Sequence, residues 1–416
     1  MPSLPALGPA PRAPRGLPVH GAEVPERTSR PRWAVAAKGF RPFFLLAAAF
    51  GAAFVPLWLG VLGGALRPGG PLAPAVWHAH EMVFGFAVAV IAGFLLTAVG
   101  NWTQRETAVG APLLALAALW TAGRVAMLLP DAFPRAVTAA VDLAFLPALG
   151  VVLARPLVAA RNRRNYVMLA VLAALFVANV VVHLDALGQA PGAARGACLF
   201  GLDVVVLVIL VITGRVLPMF TRNATGAETI RSRPRLDVAT VAAMAAVALV
   251  DAVRPESAVA AGLAGVAGVL AIARAWGWRT RLVLRHPLLW VLHVGYAWVP
   301  GGLLLRLVAR LDADVPASLA THALTVGAVG SLTLGMMARV ALGHSGRPLV
   351  APRPMSLAFA AMGLAAVARV VAPLVAPGAY FAELVVAGSL FSGAFVVYLL
   401  VYAPMLVTPR ADGKPG

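Results

Sequence analysis

The sequence predicts an all-α fold: a polytopic transmembrane bundle of about twelve helices with both termini in the cytoplasm. Three observations carry that expectation. Of 416 residues, 61% are hydrophobic and 12% charged, with a mean hydropathy of +0.86, whereas soluble globular chains are roughly 45–50% apolar and 25% charged. Apolar stretches long enough to cross a hydrocarbon core, about 20 residues each, recur along the whole chain. The basic residues alternate between the joints in the way that membrane topology demands.

The spans fall at 41–63, 77–99, 111–129, 135–154, 165–187, 196–220, 236–253, 257–275, 286–309, 317–342, 353–375 and 379–404. Gly, Pro and Arg clusters punctuate the joints, as short loops require. With the N-terminus inside, 24 of the 34 basic residues lie in or at the edges of the cytoplasmic segments, and five (Arg67, Arg135, Arg195, Arg254 and Arg310) lie in the outer loops. Losing one span would scramble this alternation. Residues 1–40 read as a disordered cytoplasmic tail, 41–404 as the membrane domain and 405–416 as a cytoplasmic C-terminal tail. The tail before the first span has no apolar run long enough for a signal-peptide core, so that span serves as its own insertion signal.

Composition also removes function classes. The net charge of +18 is spread between apolar segments rather than gathered on a soluble domain, which argues against nucleic acid as a partner. The lipid bilayer is the partner instead. The single cysteine, Cys198, excludes an internal disulfide, an iron–sulfur cluster and a Cys-based zinc site. No P-loop, dinucleotide fingerprint, nucleophile elbow or HExxH motif is present, and no loop can hold a separate soluble domain. Any activity resides in the bundle or at its mouths.

Ionisable groups inside spans are costly and point to function. His20 lies in the tail and is set aside. Topology places His78, His80, His183 and His322, from three spans, at one depth near the outer mouth. His293 sits about 10 Å into the ninth span from the cytoplasmic side at 1.5 Å per residue, and His286 and His344 belong to the cytoplasmic rim. Imidazoles on facing helices suit iron, copper or zinc, and haem iron accepts axial His. Alone, such a histidine reads as a hydrogen-bonding group of loop or headgroup; four at one depth read as ligands. His78 and His80 point some 200° apart on an ideal helix, so one ligates and the other faces solvent or a second metal.

Arg124, Asp142, Asp203, Arg306, Arg369 and Glu383 lie in the outer halves of their spans, with Glu81 beside them. They read either as structural ion pairs or as arginines for anionic cofactor groups and carboxylates for protons. Arg215 and Arg339 snorkel at the cytoplasmic ends. Gly85, Gly93 and Gly100 allow either close helix contact or room for a flat cofactor.

At these residues the sequence resembles the NnrS family. The matching stretches are Phe40-Arg41-Pro42-Phe43-Phe44, the run from Trp77-His78-Ala79-His80-Glu81-Met82 to Asn101-Trp102-Thr103, and Gly214-Arg215-Val216-Leu217-Pro218-Met219-Phe220-Thr221-Arg222-Asn223. Leu292-His293-Val294-Gly295-Tyr296 and the run from His322-Ala323-Leu324-Thr325-Val326-Gly327-Ala328 to Gly343-His344-Ser345-Gly346-Arg347-Pro348 complete them. Gly100 stands where the family pattern leads one to expect Pro, at a position that the sequence reads as loop.

The resemblance implies a haem- and copper-containing protein of the bacterial inner membrane, linked to nitric oxide metabolism, denitrification and relief of nitrosative stress. On that footing His80 and His322 are the leading ligands, followed by His183, His293 and His78. Glu81 supports them, Arg306 and Arg369 are candidates for haem propionates, and His344, Met336 and Met337 are further metal candidates. The electron donor is not named by the sequence. Two other classes fit the same topology. One is a twelve-helix secondary transporter without a redox cofactor, whose sign would be an internal repeat; none is visible between the halves. The other is an assembly or sensor component.

Overall fold

A computed structural model describes residues 34–67, 69–414 and 416. Residues 1–33, with His20 and most of the tail expected to be disordered, lie outside the described residues. Twelve helices are long and apolar enough to span a membrane, and no strand occurs among the described residues. They are α1 (Phe40–Leu62), α2 (Pro74–Thr103), α3 (Ala111–Leu128), α4 (Arg135–Ala159), α5 (Arg163–Ala186) and α6 (Ala194–Thr225). The second six are α7 (Pro234–Val253), α8 (Ala258–Trp278), α9 (Pro287–Leu311), α10 (Ala317–His344), α11 (Arg353–Val375) and α12 (Pro377–Val407).

All twelve expected spans are present, with ends displaced by a few residues. The twelfth runs to Val407 rather than 404, so residues 405–407 are helix and not tail. Prolines open α2, α7 and α9, where the missing N–H is one that has no intrahelical partner anyway. Sequence neighbours pack against each other, and α12 returns to pack along α1. Two helices lie at the middle: the most apolar window of α2 is 89% buried and that of α10 is 72%, against 22–61% for the others.

The two ends of the described chain meet on one face. The Ala34 N–H donates to the Val407 carbonyl at 2.7 Å. Arg41 is fully buried, and its guanidinium donates to the carbonyls of Leu406 (2.9 Å), Thr408 (2.7 Å) and Gly416 (2.9 Å). The first two lie at the C-terminus of α12, where a helix leaves carbonyls without partners. Arg410 extends the seam, donating to the His344 carbonyl at 3.1 Å at the end of α10 and to Asp412 at 2.6 Å. The guanidinium keeps the Asp412 carboxyl well below the usual carboxylate range. This is the terminal face. The opposite, far face carries the start of α2 and the ends of α3 and α5.

Removing Arg41 leaves a cluster of carbonyls without their charged donor, and hydrogen bonds to charged groups contribute about 1.5–3 kcal/mol each. Arg41→Ala is therefore expected to lower unfolding free energy by about 3 kcal/mol, read as a fall in the detergent melting temperature. A melting curve identical to the parent's would refute the clamp.

Candidate metal centre

The site begins where α2 enters the bundle from the far face. The Trp77 indole N–H donates to the Met127 carbonyl at 3.1 Å, fixing this end of α2 to the end of α3. His80 follows one turn later, about 9 Å along the helix from Pro74. Directly after it, residues 81–87 wind as a π-helix, and the Gly85 carbonyl in that stretch accepts from the Trp120 indole at 3.2 Å. The other π-helical stretch among the described residues, 323–330, directly follows His322 in α10. Wide turns of this kind interrupt the α-helical ladder and occur often at functional sites.

The two segments share a pattern. His80, Gly85 and Gly93 have the spacing of His322, Gly327 and Gly335. This is a local correspondence between the second and tenth spans and not a repeat of the halves.

Around His80, four helices bring six side chains into one buried group: His80 and Glu81 from α2, Arg124 from α3, Asp142 from α4, and Asn179 and His183 from α5, none more than 5% exposed. His80 Nδ1 meets Glu81 Oε1 at 2.9 Å. His80 Nε2 faces Asn179 Oδ1 at 2.8 Å and Asp142 Oδ2 at 3.3 Å. His183 Nε2 lies 2.9 Å from that same Asp142 oxygen, and Asn179 Nδ2 donates to it at 2.8 Å. Arg124 bridges the carboxylates, donating from Nη1 to Glu81 at 2.6 Å and from Nη2 to Asp142 Oδ1. Two glycines make room. A Cβ at Gly85 would come within 3.2 Å of the Arg124 side chain, and one at Gly123 within 3.1 Å of Asp142 Oδ1.

Hydrogen-bond accounting shows what the group lacks. A neutral imidazole has one N–H and one bare nitrogen, yet both nitrogens of His80 face acceptor oxygens. Two carboxylates meet a single guanidinium, leaving one negative charge uncompensated in a water-poor interior, where an unpaired charge is costly. A proton or a metal ion can supply the balance. The ligand atoms of His80, Asp142 and His183 lie within 4.8 Å of one another, close enough to share one ion. Two imidazoles and a carboxylate oxygen form a donor set that suits copper, iron or zinc.

The other candidates lie elsewhere. His78 points away from His80, as the 200° offset requires, and its ring stacks on Trp58 with centroids 4.5 Å apart and on Phe54 at 5.9 Å. It therefore faces aromatic rings, and its buried Nδ1 has no partner. His322 gives its Nδ1–H to the Ser318 carbonyl at 2.7 Å, which leaves Nε2 as a bare donor atom. Arg369 and Glu383, both more than nine-tenths buried, belong to the same end of the bundle. Arg369 Nη1 and Glu383 Oε2 lack partners, while Arg369 Nη2 donates to the Tyr380 hydroxyl at 3.3 Å.

Arg306 is already committed, holding Asp203 from Nη1 and Asp251 from Nη2, each at 3.0 Å. His293 is on the terminal half of α9 between the hydroxyls of Thr221 (2.9 Å) and Thr280 (3.0 Å). His344 packs on the Phe40 ring, centroids 5.7 Å apart, and His286 is exposed at the start of α9. So His80 and His183 converge, His78 and His322 do not join them, and His293 and His344 lie toward the opposite face.

The sequence model of a family described as NnrS protein matches residues 34–410. The chain belongs to the NnrS family. The match takes in all twelve spans and every residue of the buried group. No curated protein matches the chain.

Asn179 escaped sequence reasoning because an amide inside an apolar span carries no charge to draw the eye. Its signal was spacing, since it precedes His183 by four residues and so shares its helix face.

Breaking a buried ion pair by removing one partner costs about 3–5 kcal/mol. Arg124→Gln is expected to destabilise the protein by that amount, and adding Glu81→Gln to recover more than half of the loss. Detergent thermal unfolding of the single and double variants measures both. Additive losses would show that Arg124 does not act as counter-charge to Glu81.

Proposed function

We propose that this NnrS-family membrane protein binds copper and haem and acts in nitric oxide metabolism or the response to nitrosative stress in the bacterial inner membrane. The observation that carries the reading is the buried group of His80, Asp142 and His183, whose donor atoms can share an ion and whose charges leave room for a cation. The positive-inside pattern supports a topology with both termini in the cytoplasm and this group in the periplasmic half of the bundle.

The group fits copper through its nitrogen and oxygen donors. Glu81 on His80 Nδ1 would fix the ring's tautomer and orientation, as carboxylates do for metal-bound histidines. Arg124, held by both carboxylates, keeps them in place without itself offering a lone pair.

Haem fits a different set. His322 has its Nδ1–H tied to a backbone carbonyl, which leaves Nε2 with a bare lone pair. His78 has a buried, unpartnered nitrogen beside two stacked aromatic rings, and Arg369 has a free guanidinium nitrogen for a propionate. We assign His78 and His322 as haem ligand candidates and His80, His183 and Asp142 as the copper set. Bound there, the metals would supply one-electron exchange and a coordination position for nitric oxide. That ligand is small, apolar and membrane-permeable, so it reaches a buried site through the lipid.

Metal analysis and visible spectra of purified variants test the assignment. His80→Ala, His183→Ala and Asp142→Asn are expected to lose most copper and keep haem. His78→Ala and His322→Ala are expected to lose haem and its Soret band, and His286→Ala to keep both. In the reduced parent protein, nitric oxide is expected to shift the Soret band. Colourless, metal-free parent protein from haem- and copper-replete cells would sink the reading and favour transport.

A further inference from the structure

One helical turn outward from the buried group, toward the far face, lies a cavity of about 30 Å³, room for about two waters. Its inner wall includes Trp77, Met127, Thr138, His183 and Ala186, and Arg135 stands at its exposed rim. The spacing of these residues places them systematically. Trp77 precedes His80 by three, Thr138 precedes Asp142 by four, Met127 follows Arg124 by three and Ala186 follows His183 by three. The helices α2 and α4 run inward from this face and α3 and α5 run out toward it. Each of the four therefore presents a wall residue one turn outside its own member of the buried group.

His183 belongs to both. Its ring lines the cavity while Nε2 reaches Asp142. Thr138 adds a second polar feature. It is 6% exposed, and its hydroxyl has no hydrogen-bond partner, which is uncommon for a buried polar group and calls for a bound water or ligand. On α4, Arg135, Thr138 and Asp142 succeed one another at intervals of three and four, a polar line on one helix face running from the rim to the carboxylate. The rest of the wall, with Trp77, Met127 and Leu72, is apolar.

We propose that this cavity is a port and binding site for a polar ligand of one to three heavy atoms, such as water, hydroxide or a triatomic anion, held by the Thr138 hydroxyl and delivered past His183 to the buried group. Arg135 at the rim favours anions among these. The port complements the lipid route open to apolar gases. What the ligand meets at the inner end rests on the metal assignment above, but the port itself does not.

The test uses the full-length protein in a Cys198→Ala background, with one new cysteine and methyl methanethiosulfonate as the probe. Only a thiolate that water and reagent can reach is modified quickly, so Thr138→Cys is expected to react about tenfold faster than Ala139→Cys, its equally buried neighbour. Adding Ala186→Trp, or the smaller Ala186→Leu, is expected to slow Thr138→Cys to the rate of Ala139→Cys, and sodium azide to slow the labelling of Ala186→Cys reversibly when Thr138 is kept but not when Thr138→Val is added. Equal rates for the two cysteine positions, or indifference to both fillers, overturn the port. Fast labelling of Ala186→Cys that azide leaves untouched while Thr138 is present overturns the anion site. Metal-free protein serves as well as loaded protein, so these outcomes are separable from failure of the metal assignment.

Discussion

The arrangement at the centre of this bundle depends on compensating buried charge. Glu81 and Asp142 come from different helices, are shielded from water, and are held in register by one guanidinium between them. Arg124 bridges two carboxylates with its two terminal nitrogens, and Gly85 leaves it room, since a Cβ there would crowd its side chain at 3.2 Å. Because the compensation is incomplete by one charge, a proton or a metal ion can complete it. The same shortage explains why His80 can face acceptors on both sides without penalty once a proton or metal is present.

The π-helical turns extend this logic to the backbone. In α2 the wide stretch directly follows His80 and in α10 it directly follows His322. An extra residue per turn shifts every side chain beyond it relative to those before it. Each histidine is thereby uncoupled from the register of the apolar helix that continues inward. The two helices that carry these turns are also the most buried of the twelve. A site histidine at the junction can be oriented by its polar neighbours while the remainder of the helix packs as an ordinary span.

Much of the fold was legible in the sequence because its causes are local. Hydropathy marks the spans, and the alternation of basic residues confirms their number. The site was legible in part. His80, Glu81, His183, Arg124 and Asp142 stood out as charged or titratable groups at one depth, and depth follows from counting along a helix. What counting cannot supply is the angle between helices, so His322 looked as close to His80 as His183 did. Arg306 likewise looked available for an anionic cofactor group, while its second partner, Asp251, drew no attention near the end of a short Ala-rich span. Asn179 and Thr138 were invisible for a simpler reason. Neutral polar residues in apolar helices are common, and only the surrounding side chains reveal which of them lack or supply a hydrogen bond.

The clamp at the chain ends bears on how the protein is made. Helices inserted one after another from a ribosome can pack with their predecessors as they emerge, but the packing of α12 along α1 forms only once α12 is made. Until that last helix arrives, Arg41 has none of the carbonyl acceptors it holds in the finished bundle. Synthesis must therefore finish before assembly can, and a nascent chain stalled short of its final span displays an unmet cation at the membrane edge.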